Sequence, residues 1–242
     1  MKDQDIVTVT NLTKYIFIGD DRMAILKNIS CSIKYGDFSI LYGPPASGKS
    51  IFLYSILGIE EPTFGEVYIE GKNILKMSEY ERTNFRRSRI GIVYGHPLWV
   101  GSMDVIKNIE FSLHLNGYPG SVENKAQEIL EMLGIGELAH CHPVELDNLQ
   151  QQQISIARAI VTDPELIVAD DPTRHLDLAA GHKLMQTFER LNAYNKTVII
   201  VTGRHAFLTY GNKPMYMDKG MIKNETLQGS SSIQNSQKIL HK

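Results

Sequence analysis

The sequence is short of several common signals, and each shortage excludes something. Cysteine occurs twice in 242 residues. Cys31 and Cys141 are too few and too far apart for a disulfide framework or a zinc site, and the usage fits a reduced compartment such as the cytosol. No apolar run approaches the roughly 18 residues that a membrane-spanning helix needs. The opening Met1-Lys2-Asp3-Gln4-Asp5 is polar, unlike a secretory signal. If the protein works at a membrane, another chain is expected to supply the span. Charge of one sign is also lacking: 25 Lys and Arg stand against 27 Asp and Glu, for a net of −2. That balance gives no electrostatic footprint for nucleic acid. There are no internal repeats, and Trp99 is the only tryptophan. What is left is an ordinary globular composition, long enough for one large domain or two small ones.

Against that background one stretch stands out. Gly43-Pro44-Pro45-Ala46-Ser47-Gly48-Lys49-Ser50 fits the phosphate-loop pattern G-x-x-x-x-G-K-[ST] without a gap. Residues 37–42 before it read as a short strand, and residues 50–57 after it as a helix closing on Gly58. Glycines let such a backbone wrap closely, so that successive N–H groups point inward at phosphate oxygens. The helix N-terminus adds its partial positive charge. In this motif the lysine, Lys49, reaches the β- and γ-phosphates, and the hydroxyl of Ser50 ligates Mg²⁺. The chain is therefore expected to bind a nucleotide.

The rest of the chain alternates in type. Short β-like runs at 6–9, 15–18 and 29–33 are separated by turn signals at Gly19-Asp20-Asp21 and Tyr35-Gly36-Asp37. A strand is predicted at 66–69, a helix at 78–88 and a buried strand at 90–94. Three helices follow: from an Asp104 cap to Leu115, from Ser121 onward, and from near Asp147 to Val161. Strands return at 166–170 and 197–201, with a helix between at 178–192. The pattern predicts an α/β core sheet with a helical subdomain inserted at about 96–160. The polar tail from 225 to 242 is expected to be disordered. A phosphate loop also needs a carboxylate at the end of a buried strand to hold the Mg²⁺ shell. Asp170 ends the run 166–169, and Asp171 follows it.

Here the chain resembles the ATP-binding subunits of ABC transporters, most nearly those of the lipoprotein-release, macrolide-export and cell-division systems. The resemblance spans about residues 6–224. It is carried by Asn11-Leu12-Thr13-Lys14, Pro62-Thr63-Phe64-Gly65-Glu66-Val67, Ile90-Gly91-Ile92-Val93-Tyr94, Asn108-Ile109-Glu110, Gln150-Gln151-Gln152 through Ile156-Ala157-Arg158-Ala159, Ala169-Asp170-Asp171-Pro172-Thr173 and Leu176-Asp177. It implies a P-loop NTPase fold: a RecA-like core sheet, an antiparallel β subdomain and a helical subdomain, all within 1–224. It also implies a dimer, homo- or heteromeric, working with an integral membrane permease, with the chain peripheral on the cytoplasmic face of the membrane. In such dimers a groove takes a short coupling helix from the permease. The segment Gly95-His96-Pro97-Leu98-Trp99-Val100 falls at that groove, with Trp99 as an apolar anchor.

Departures from the family pattern lie where the chemistry should be. The signature, usually L-S-G-G-Q, reads Leu146-Asp147-Asn148-Leu149-Gln150. In the family this segment caps the γ-phosphate bound to the opposite subunit. Asp147 suits a helix N-cap, yet it brings a carboxylate toward phosphate, at a cost of about 4 kcal/mol for like charges 4 Å apart at a dielectric near 20. Asn148 and Leu149 add Cβ atoms where glycines allow close approach. Asp171 stands for the water-polarising glutamate, Gly203 for the switch histidine and Gly95 for the glutamine that senses Mg²⁺. Ile16 stands for the adenine-stacking aromatic, with Tyr15 and Phe17 turned to the other face. Ile51, beside the loop, replaces a threonine and removes one hydroxyl contact to phosphate. Groups that hold Mg-ATP survive, and groups that fire it are altered.

The expected function is nucleotide-dependent dimer closure coupled to a permease, with hydrolysis weak or lost. Two other readings stay open: a fully active ABC motor, and a scaffold with a vestigial nucleotide site. Under the first reading no single substitution restores turnover. Asp171→Glu combined with Gly203→His, Gly95→Gln, Asp147→Ser, Asn148→Gly and Leu149→Gly is expected to raise it by orders of magnitude.

Overall fold

The computed structural model describes residues 4–19 and 21–223; the tail segment 225–242 lies outside the described residues. The chain begins with two long strands, β1 (Asp5–Ile18) and β2 (Asp21–Lys34), antiparallel and joined at Gly19. The sequence pattern predicts three shorter runs here, because bulges interrupt the alternation. Asn11 and Asn28 take φ of 51° and 50°, and the pairing register slips around Leu12 and Lys14. Asparagine tolerates this left-handed backbone better than most residues. With β4 (Phe64–Ile69) and β5 (Lys72–Asn73), they form an antiparallel sheet ordered β2-β1-β4-β5 once β3 (Phe38–Tyr42) is assigned to a second sheet.

That second sheet includes β6 (Ile90–Tyr94), β7 (Leu166–Asp170), β8 (Thr197–Thr202), β9 (Lys213–Asp218) and β10 (Met221–Lys223), in the order β10-β9-β3-β8-β7-β6. All its pairings are parallel except that of β9 with β10. The strands β9 and β10 have no counterpart in the sequence reading. Lys213-Pro214 opens β9 beside a turn and hides its alternation.

The central strands read as unbroken apolar runs because both faces of the sheet are covered. Alternation divides their side chains between two cores. Phe38, Ile40, Ile167, Ala169, Val198 and Ile200 face one core, while Leu41, Leu166, Val168, Ile199 and Val201 face the other. The second core is shared with α1 (Lys49–Ile56), through Phe52, Leu53 and Ile56, and with Ile6, Val7 and Val9 of β1. Burying each such side chain fully contributes about 1.5–3 kcal/mol. The first core takes in the helices α3 (Val105–Leu115), α4 (Val122–Met132), α5 (Asn148–Ile160) and α6 (Leu178–Ala193). The remaining helix, α2 (Glu79–Arg89), precedes β6.

Helix starts follow the caps legible in the sequence. Ser78 and Glu81 exchange bonds in a capping box at α2. Asp104, Ser121 and Asp177 each accept a backbone N–H three residues on, at 3.0, 3.3 and 2.7 Å. The result is α/β with an antiparallel sheet on one side and helices on the other. No helix among the described residues is long and apolar enough to cross a membrane.

Candidate functional site

The site forms where β3 ends, at Tyr42, and the chain turns through 43–48 into α1. Gly43 is fixed by close approach, since a Cβ there would lie 2.0 Å from the Met217 carbonyl oxygen. Gly48 has φ +102°, the left-handed backbone from which α1 starts. Lys49 folds back over the loop, and its Nζ donates to the carbonyls of Gly43 (2.9 Å) and Pro44 (2.7 Å) and to Ser47 Oγ (3.2 Å). Burial lowers the Lys49 pKa below the ordinary lysine value, and the charges of Asp171 and Asp170 oppose that shift.

Across β8, the end of β7 brings Asp170 to the start of α1. Ser50 Oγ donates to Asp170 Oδ1 at 2.8 Å. The other oxygen, Oδ2, accepts from Tyr54 OH at 2.7 Å. Asp171 sits on a left-handed backbone with φ 48°. Its N–H donates to Val201 O at 2.8 Å. Its Oδ1 accepts from Thr202 Oγ1 at 3.4 Å, and its Oδ2 lies 3.3 Å from Arg174 Nε. These groups border a cleft of about 430 Å³ that runs from Ile25 past Pro45–Ile51 to Asp170, Asp171, Arg174 and Val201–Gly203. That volume is in the range of small-molecule sites.

Of the residues singled out in the sequence, Pro45 to Ile51, Asp170, Asp171 and Gly203 share this cleft. Gly43 and Pro44 hold the lysine from behind. Ile16 pairs with Met23, and its neighbour Tyr15 pairs with Ala24 on the reverse face. There Tyr15 carries Arg22 over its ring and meets Phe64 edge-on. His205 is exposed against Tyr42, ring centroids 5.0 Å apart, and does not border the cleft.

The segment 146–150 stands apart from the cleft. Asp147 caps α5, accepting from Gln150 N at 2.8 Å while Gln150 Oε1 accepts from Asp147 N at 3.0 Å. Asn148 Nδ2 donates to His175 O at 3.2 Å, beside a cavity of about 220 Å³ shared with Gly95 and His96. Leu146 is buried and Leu149 packs against the helical core. Gly95 is tightly enclosed: a Cβ there would meet the Asp170 and Asp171 carbonyl oxygens at 2.6 and 2.8 Å. At Gly203 the nearest atom to such a Cβ is Gly43 O at 4.0 Å. One position refuses a side chain and the other accepts one.

Three groups on the carboxylates were not singled out from the sequence: Tyr54, Arg174 and Thr202. Tyr54 had a usable signal, because it follows Ser50 by one helical turn and shares its face. Arg174 had a weaker one, three residues beyond Asp171 in a strand-ending turn.

A strand–loop–helix cradle on a parallel sheet, with a carboxylate delivered to its serine from a strand one place removed, defines a P-loop nucleoside-triphosphatase fold. The chain belongs to the ABC transporter family, whose description matches residues 26–174. It is 34% identical to an ABC transporter ATP-binding protein of Methanocaldococcus jannaschii, over 90% of this chain and 96% of that protein. It is 30% identical to the lipoprotein-releasing system ATP-binding protein LolD of Blochmanniella floridana, over 92% of this chain and 95% of that one. Among solved structures, a dimeric ATP-binding cassette in a post-hydrolysis state, bound to ADP and Pi, superposes with a TM-score of 0.82 at 33% identity, covering 92% of this chain and 99% of that one.

The donor set fits Mg-ATP. Ser50 Oγ and Asp170 Oδ1 stand within one hydrogen bond of each other. No three His, Cys, Asp or Glu among the described residues gather as a metal centre. The Ser50–Asp170 oxygen pair suits an ion held by one or two protein oxygens plus substrate phosphates.

Proposed function

We propose that the chain is an ATP-binding subunit of a membrane ABC transporter complex, coupling nucleotide binding and dimer closure to a separate permease, with hydrolysis weak or lost. Lys49 would pair with the β- and γ-phosphates, and Ser50 and Asp170 would hold Mg²⁺. When bound, the metal would supply positive charge that offsets the charge of the phosphates. Asp171 would be the water-orienting carboxylate. Its side chain is tied to Arg174 and Thr202, and one methylene fewer than glutamate sets it back by about 1 Å, a displacement able to cost on the order of a hundredfold in rate.

The observation that carries this reading is a contrast around the phosphate loop. Lys49, Ser50 and Asp170 are gathered at the cleft, while Gly203 on that cleft and Gly95 in the adjoining cavities offer no side chain to the reaction. A ligand that binds two states unequally shifts their equilibrium without turnover. The dimer seen in the relative bound to ADP and Pi, and the lipoprotein-releasing role named for another relative, support a dimer that serves a membrane partner. The protein would sit on the cytoplasmic face of the membrane.

For permease contact we infer the region of Trp99. Its ring is half-buried against the helical core and has Arg158 stacked over it at 5.1 Å. Arg158 also borders a groove of about 260 Å³ between α2 and α3, with Arg86, Arg87 and Leu115. The test of the whole reading pairs calorimetric Mg-ATP binding with phosphate release, using Lys49→Ala as the blank. Binding without turnover supports it. Absence of binding at millimolar Mg-ATP favours a scaffold.

A further inference from the structure

Two cationic side chains border the phosphate cleft: Lys49 from the loop and Arg174 from the turn after β7. They are held very differently. Lys49 is folded onto three loop oxygens. Arg174 is fixed only at its base, where its N–H donates to Asp171 O at 3.0 Å and the preceding Pro172 and Thr173 are buried. Its head makes one contact, Nε to Asp171 Oδ2 at 3.3 Å, and the side chain is 64% exposed. Among the described residues the two terminal guanidinium nitrogens have no hydrogen-bond partner. An exposed pair of this kind is weak.

We propose that Arg174 reads the terminal phosphate of the bound nucleotide, leaving Asp171 for it. The inference rests on the nucleotide reading above and names a residue that distinguishes triphosphate from diphosphate. A guanidinium offers a planar fork suited to two phosphate oxygens, and here that fork is free while Nε alone is engaged. Room for the swing exists. Arg174 also borders a neighbouring cavity of about 250 Å³, beside Tyr54, Tyr94 and His96. Asp171 is not stranded by the exchange, since Thr202 still donates to its Oδ1. Release of Oδ2 from the guanidinium leaves that oxygen open to accept from water. The γ-phosphate thus removes the group that occupies Asp171, which ties the state of the carboxylate to the presence of a triphosphate.

The measurement is calorimetric affinity for Mg-ATP and Mg-ADP in the full chain, compared as a ratio. Wild type is expected to prefer ATP. Arg174→Ala is expected to reduce that preference by about tenfold, through ATP affinity, with ADP affinity held within about twofold. Arg174→Lys should fall between, keeping charge but not the fork. Asp171→Asn, which removes the competing carboxylate, should raise the preference. An Arg174→Ala ratio equal to wild type overturns the inference alone, as does equal weakening of both nucleotides. Failure of wild type to bind either overturns the nucleotide reading and this inference with it. Since Arg174 is exposed, melting temperatures of the variants should match wild type.

Discussion

The Tyr54 hydroxyl donates to Asp170 Oδ2 at 2.7 Å while Ser50 Oγ takes Oδ1 at 2.8 Å. Both oxygens of the carboxylate are therefore aimed by α1, one from its first turn and one from its second. The phenol is held protonated: burial, the bond to Asp170 and the charge of Asp170 all raise its pKa above the ordinary value of 10.0. In the unfolded chain the same phenol ionises near pH 10. The unfolded state then carries fewer protons than the folded one, so stability falls as pH rises past about 10. The contribution is complete below that value. Tyr54→Phe is expected to flatten this alkaline limb in pH-dependent thermal melting. An unchanged limb would show that the bond does not persist in solution.

Lys49 gives a second pH dependence, with ligand affinity as the readout. Burial lowers its pKa before any phosphate is bound, and pairing with phosphate requires the charged form. Affinity for Mg-ATP should therefore fall as pH rises through the alkaline range, earlier than for an unperturbed lysine, with proton uptake on binding. Calorimetry in buffers of different ionisation enthalpy reads that uptake directly. Lys49→Ala should abolish it and weaken binding by at least tenfold, the loss of one charge-assisted contact. Equal affinity in the variant would remove Lys49 from the site.

The groove near Trp99 can be tested without touching the cleft. Trp99→Ala removes the ring on which Arg158 rests and should reduce recovery of the chain with permease-containing membranes severalfold. Mg-ATP affinity should stay within about twofold. Trp99→Phe, which keeps an aromatic face, should recover much of the association. If both variants lose circular-dichroism signal instead, Trp99 serves the helical core and not a partner.

Much of this architecture was legible because the physics involved is local. The loop 43–50, the Asp147 cap and the strand ends at Tyr94 and Asp170 follow from φ, capping and periodicity, and the structure has them there. Three things were not legible. Bulges at Asn11 and Asn28 broke the alternation of β1 and β2 into fragments. The strand β9 joins the sheet through β3, far away in sequence, and β10 is only three residues long. The partners of the carboxylates depend on side-chain reach across strands, as with Thr202 and Asp171. Gly95 is the sharpest case. From the sequence it reads as a lost glutamine, whereas in the fold the carbonyls of Asp170 and Asp171 leave it no room for a side chain.

That distinction changes the expected route back to catalysis. A six-residue restoration including Gly95→Gln would drive a Cβ to 2.6 Å from the Asp170 carbonyl oxygen, displacing the strand end that carries the Asp170 carboxylate. Gly203→His meets no such obstacle, its nearest neighbour lying 4.0 Å away. Asp147→Ser keeps a good N-cap for α5 while removing the charge. The productive combination is therefore Asp171→Glu, Gly203→His, Asp147→Ser, Asn148→Gly and Leu149→Gly, with Gly95 retained. Such groups act as a unit, so Asp171→Glu alone should leave phosphate release low, and the fivefold variant should raise it by orders of magnitude. Adding Gly95→Gln to that variant should lower both its melting temperature and its rate. Two outcomes would sink the argument. Wild-type turnover near 1 s⁻¹, within the roughly 1–10³ s⁻¹ of ordinary enzymes, would mean that Asp171 and the altered signature already suffice. A further gain on adding Gly95→Gln would mean that the loop beside Asp170 yields more readily than its packing implies.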